Sequence, residues 1–148
     1  MFDTYDNIYQ GTSITIQSLS GSTAVTGSAI DTENLCNGMI HVRAEVTTSN
    51  PSVAQVAVTL TECATSGGTY TTANDNTGTP IGFTLDVHAA AADGYARLEG
   101  LGLNRKRFLK IVCTPSFTGG TSPTIPVYAE ILATPSATKP VRTAVSNT

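Results

Sequence analysis

The chain reads as an all-β protein, an antiparallel two-sheet sandwich whose best form is an eight-stranded jelly roll. Three observations predict this. Val, Ile, Leu and Ala alternate with Thr, Gln or charged residues in short runs from residue 12 to residue 132. Clusters of Gly, Pro, Asn and Ser separate those runs at even spacing. No long stretch repeats with the period of a helix. The count of runs is seven or eight, which means a sandwich or a jelly roll. Seven would leave an immunoglobulin-like sandwich open, but its Cys…Trp…Cys core is impossible in a chain without Trp.

The elements follow in order. Residues 1–11, MFDTYDNIYQG, form an N-terminal arm: Phe2, Tyr5, Ile8 and Tyr9 make a short helical stripe, too short to stand as a helix alone. The arm either folds over its own domain or anchors in a neighbouring chain. Residues 12–133 form the sandwich. Thr12–Leu19 is its first strand, with Ile14 and Ile16 inward, and Ala24–Ala29 a short edge strand broken by Gly27. Asp31–Gly38 is a polar connection. Met39–Thr48 follows with Ile40, Val42, Ala44 and Val46 on one face and His41, Arg43, Glu45 and Thr47 on the other. Ser49–Ser52 contains Asn50-Pro51 and predicts a hairpin into Val53–Glu62, where Ala54, Val56, Val58 and Leu60 point inward.

Cys63–Pro80 is a long Gly/Thr/Asn-rich loop, with room for a short strand at Thr69–Thr72. Ile81–Val87 alternates again, Ala89–Asp93 reads as a helical turn, and Gly94–Leu101 as a short strand. The centre of the sandwich is Arg107–Leu132. RFLKIVCTP and IPVYAEIL are two alternating runs on either side of a Gly/Pro/Ser/Thr stretch, the sequence form of two antiparallel strands. Ile40, Val42, Val56, Val58, Leu109, Ile111, Val127 and Ile131 are the expected core. Residues 134–148, with Pro135 and Pro140, form an extended C-terminal tail.

Composition narrows the function classes. A chain of 148 residues is one domain, large enough to bury a core without staples. Aromatic residues make up 6% and charged residues 13%, about half the usual share of charge, so Thr, Ser, Asn and Gly must cover broad uncharged faces. The net charge of −3 argues against nucleic acid as a partner. Arg105, Lys106 and Arg107, with Lys110, hold four of the eight basic residues; they form either a solvated strand end or a docking patch for an acidic protein surface. Cys36, Cys63 and Cys113 are odd in number and widely spaced, which argues against a disulfide framework. With no apolar leader and no long apolar run, neither export nor a membrane span is expected.

Chemistry is thin. His41 shares a strand face with Arg43 and Glu45, an ordinary solvent-facing cluster. His88 follows Asp86 by two, but a triad needs a positioned nucleophile and no nucleophile motif is present. Asn74-Asp75-Asn76-Thr77-Gly78 lacks the acids a calcium loop needs. Gly100-Leu101-Gly102 lacks the third glycine and the βαβ setting of a dinucleotide site. No cofactor, metal or catalytic residue is expected, and the protein reads as a non-enzyme.

Strand count, low charge and the order of segments carry a resemblance. TECATSGGTYTTANDNTGTP is followed by IGFTLDV and then by NRKRFLKIVCTP entering a last strand pair. The arrangement, over about residues 11–133, resembles the capsid decoration, or cement, proteins of short-tailed bacteriophages. The resemblance implies a jelly roll that binds the major capsid protein on the outside of the virion and stabilises the shell. It also implies self-association, with a homodimer favoured and a trimer possible, no nucleic acid or membrane partner, and assembly in the host cytoplasm. The expected contact residues are Phe2, Tyr5, Ile8, Tyr9, Arg105, Lys106 and Arg107. The alternative is a β-sandwich module of a phage tail or fibre that binds glycan or receptor, for which Tyr70 and Tyr95 are the only rings expected to be exposed in the body.

Overall fold

The computed structural model describes residues 8–101 and 105–135, and every regular element among them is a strand. In chain order these are β1 (Tyr9–Ser20), β2 (Val25–Thr26), β3 (Ile30–Asp31), β4 (Leu35–Ala44), β5 (Val53–Cys63), β6 (Thr71–Thr72), β7 (Gly82–Asp86), β8 (Ala92–Leu98), β9 (Phe108–Thr118) and β10 (Thr124–Pro135). One sheet has the order β1-β10-β4-β8. In the other, β9 pairs with β5 along its length, β2 and β3 share the far flank of β9, and β7 and β6 share the far flank of β5. All pairings are antiparallel. Counting each shared flank once, eight strand positions lie in two four-position sheets, and their order is that of a jelly roll.

Alternation makes the core. All eight residues expected at its centre, from Ile40 to Ile131, are at most 1% exposed. Leu60, Leu98, Ile14, Leu19 and Ile125 join them, so the interior is aliphatic, as the scarcity of aromatics requires. Each such side chain contributes roughly 1.5–3 kcal/mol on burial.

The expected central pair is corrected. β9 and β10 do not form a hairpin: β9 is an interior strand of one sheet and β10 of the other, and each is central to its own layer. Gly119 and Gly120, both with positive φ, turn the chain across the sandwich between them. Alternation marks one buried face but cannot say whether two strands share a sheet or face each other. The same correction applies to Ser49–Ser52. Ser49 and Asn50 do adopt positive φ, yet the turn carries the chain from β4 in one sheet to β5 in the other, with Pro51 buried.

Ile16 points outward, 80% exposed, not inward beside Ile14. Two register shifts in β1, between Thr12 and Ile14 and between Ile14 and Gln17, reverse the side-chain order. They also bury Ser13, which replaces a missing piece of strand. Between β2 and β3 the chain leaves the ladder, and there the Ser13 hydroxyl accepts from the Ile111 amide (3.3 Å) and donates to the Ser28 carbonyl (3.1 Å). Val46 lies beyond the end of β4 and is exposed. Asp31–Gly38 is not all connection, since it contains the end of β3 and the start of β4. Ala89–Asp93 is a bend running into β8, not a helical turn.

Candidate functional site

The outward face of the β1-β10-β4-β8 sheet gathers side chains that lie far apart in the sequence. Register sets three rows across it. Thr12, Glu130, His41 and Tyr95 form one, Gln10, Leu132, Met39 and Arg97 the next, and Tyr128, Arg43 and Asp93 the third. Glu130 is at the centre and only 6% exposed. One of its oxygens accepts from His41 Nδ1 (2.9 Å), and the other from the Tyr128 hydroxyl (2.7 Å) and the Gln10 amide. The opposite ring nitrogen of His41, Nε2, meets Asp93 Oδ1 at 3.1 Å. Arg43 then bridges Asp93 (3.1 Å) and Glu45 (2.8 Å). The Tyr95 ring stacks on His41, with centroids 4.7 Å apart and planes 10° apart.

Burial and charge pull these groups in opposite directions. Burial alone would lower the His41 pKa, but the bonds to Glu130 and Asp93 outweigh it and hold the imidazole above its ordinary value. Burial would raise Glu130, but donors from His41, Tyr128 and Gln10 hold it below the usual carboxylate range. Chemically the cluster binds its own charges. Among the described residues no group of three or more His, Cys, Asp or Glu is placed to hold a metal ion.

Beside the cluster lies a shallow apolar groove of about 620 Å³, lined by Ile8, Gly38, Met39, Tyr95, Arg97 and Leu132 among others. Ile8, Met39 and Tyr95 are each more than a third exposed, three of the six large apolar side chains exposed among the described residues.

The residues expected to make contacts are dispersed. Phe2 and Tyr5 lie outside the described residues. Ile8 is exposed at the groove, while Tyr9 opens β1 and packs on the core. Burial, and then the charge of Asp31, raise the Tyr9 pKa. The basic run is answered within the domain. Arg105 donates to the Asn74 carbonyl (2.9 Å) and has Glu62 at 3.7 Å; Lys106 donates to the Thr71 hydroxyl (2.9 Å). Arg107 grips both oxygens of Asp31 (2.9 and 2.7 Å), reaches Glu33 and lies over Phe108, while Lys110 lies over Tyr70. Asp86 accepts from the His88 backbone amide, closing a local turn. Asp75 likewise accepts from Thr77 and Thr79, closing its own loop.

No family model matches the chain, and no curated protein matches it. Solved structures do. A chain of infectious bursal disease virus, Gt strain, has a similar fold with a TM-score of 0.50 and 14% identity, over 90% of this chain and 34% of that one. The K1 cleaved adhesin domain of Lys-gingipain from Porphyromonas gingivalis W83 is more distant, with a TM-score of 0.43 and 15% identity over 76% of this chain and 64% of that one. Desmodium yellow mottle tymovirus gives 0.39 and 12% identity, over 93% and 82%. This chain thus spans less than two thirds of the first two. Of the three, the first bears on the fold, and at that identity on the fold alone.

The sequence pattern showed His41, Arg43 and Glu45 on one face, and Tyr128 with Glu130 on the face opposite Ile131. It missed that β10 and β8 flank β4. That adjacency joins the two sets and adds Asp93 and Tyr95. A lone acid inside an otherwise apolar or aromatic run, Glu130 in IPVYAEIL, was the signal available.

Proposed function

We propose that the protein is a non-enzymatic structural protein of a bacteriophage virion, a cement protein that binds the major capsid protein on the outside of the shell. The carrying observation is the jelly-roll strand order, closed around an aliphatic core, in a chain of which only 13% is charged. The virus chain of similar fold supports the architecture. In this reading the domain associates with a second copy, or two, and takes neither nucleic acid nor membrane as a partner. The contact set begins with the N-terminal arm carrying Phe2, Tyr5 and Ile8, joined by Tyr9 and by Arg105, Lys106 and Arg107 at the opposite sheet. Binding only the assembled lattice stabilises that lattice by mass action, and repeated copies on a symmetric shell add avidity.

A second reading, a glycan- or receptor-binding module of a phage tail or fibre, draws on Tyr95, a 60% exposed ring beside an apolar groove. One face of that ring is already covered by His41, which leaves a single face for a sugar.

The experiment is to co-express the chain with the major capsid protein of the phage that encodes it and to separate shells on a gradient. Comigration with shells, together with a higher temperature of shell rupture than for bare shells, supports the reading. A chain that stays at the top of the gradient while binding immobilised oligosaccharide overturns it in favour of the second.

A further inference from the structure

We propose that His41 is a proton-operated clamp that holds the edge strand β8 onto its sheet and releases it as the medium turns alkaline. This does not depend on the chain being a shell protein. Both ring nitrogens of His41 face carboxylate oxygens, Nδ1 at 2.9 Å from Glu130 and Nε2 at 3.1 Å from Asp93. A neutral imidazole carries one N–H and can satisfy one of them; its other nitrogen then points a lone pair at a carboxylate. Two such contacts require the imidazolium.

The surrounding charges favour the same state. β10 contributes Glu130 and the Tyr128 hydroxyl, which is turned to Glu130. β8 contributes Asp93 and Tyr95, and β4 contributes Arg43, with Glu45 just past its end. β1 contributes the uncharged Gln10 and Thr12. Three carboxylates surround one guanidinium, so a protonated His41 brings the cluster towards balance. The hydrogen bonds to Glu130 and Asp93 outweigh burial and hold the imidazole above its ordinary value of 6.5.

The two contacts differ in how firmly they are held. Glu130 is buried and fixed by two further donors, whereas the Asp93 side chain is 36% exposed and has Arg43 as an alternative partner. Loss of the proton therefore leaves Nδ1–H on Glu130 and breaks the contact to Asp93. β8 pairs with β4 alone in this sheet, and its outward side chains Asp93 and Tyr95 both rest on His41. Release loosens that outer edge and frees Tyr95, which is also one wall of the apolar groove.

Hydrogen exchange on the full chain tests this, read as protection factors corrected for base catalysis at about pH 5.5 and about pH 8.5. Protection of the β8 amides is expected to fall several-fold at the higher pH, while protection in β9 holds. His41→Gln is expected to give low β8 protection at both. Imidazole NMR in a His88→Gln background gives a readout that survives a folding defect in that variant: both ring N–H groups are expected near pH 6. Asp93→Asn, at a partly exposed position, is expected to lower the pH at which the second one is lost. A β8 protection that ignores pH in the wild type, an unchanged pH profile in His41→Gln, or a single ring N–H near pH 6 overturns the proposal.

Discussion

Replacing Ser13 with Ala removes one hydroxyl from the corner where β2 gives way to β3. That hydroxyl is buried, accepts from Ile111 N–H and donates to the Ser28 carbonyl. Alanine leaves the Ile111 amide unpaired inside the sandwich. A buried donor left without a partner costs about 1–3 kcal/mol. A chain of this size loses about 2–4 °C of melting temperature per kcal/mol, so Ser13→Ala should melt about 2–12 °C lower. Gly27→Ala probes the same corner from the other side. A Cβ there would lie 2.2 Å from Ser13 Oγ and 2.6 Å from the Ser13 carbonyl oxygen. The second contact is backbone, so Gly27→Ala should destabilise more than Ser13→Ala and should remain harmful in the Ser13→Ala background. Thermal unfolding followed by circular dichroism, with urea unfolding as a check on the slope, measures each. A Ser13→Ala protein melting within about a degree of wild type would refute the idea that this side chain completes the sheet.

Leu60→Ala, at a position of zero exposure in the middle of β5, should lose about 2–5 kcal/mol in urea unfolding, whereas Ile111→Asp should yield no folded protein on expression. Native thiol labelling should find Cys36 reactive and Cys113 inert until unfolding, because burial pushes the Cys113 thiol up to about 12; titration in denaturant should find three thiols. Global stability should be a dome in pH. Glu130, held low, contributes fully above its ordinary value of 4.5 and loses that contribution as pH falls through its native value. His41, held high, contributes fully below 6.5 and loses it as pH rises through its native value. Urea midpoints measured across that range should therefore peak between the two, and Glu130→Gln should flatten both flanks.

Particular residues show what could be read from the sequence. Ile40, Val42, Val56 and Val58 announced their burial because burial on one face of a strand imposes a period of two, and that period is local. The partners of those strands are not local. RFLKIVCTP and IPVYAEIL alternate alike whether they lie side by side or face each other across the core, so the sheet assignment of β9 and β10 was hidden. Ile16 was misplaced because the register shifts of β1 leave no mark on composition. The intrachain partners of Arg105 and Arg107 could not be read from the sequence, because Asn74, Glu62 and Asp31 are brought to them only by folding. His41 was legible as a solvent-face residue, but its partners Glu130 and Asp93 come from strands 89 and 52 positions away.

The most direct test of the proposed role is an image of the shell itself. Capsids assembled from the major capsid protein of the phage that encodes it, with and without this chain, can be compared by electron cryomicroscopy. The account predicts an added two-sheet density on the outer surface, at symmetry-related sites, into which the β1-β10-β4-β8 and β9-β5 sheets fit. Shells whose outer surface is unchanged by a saturating excess of the folded protein would contradict it.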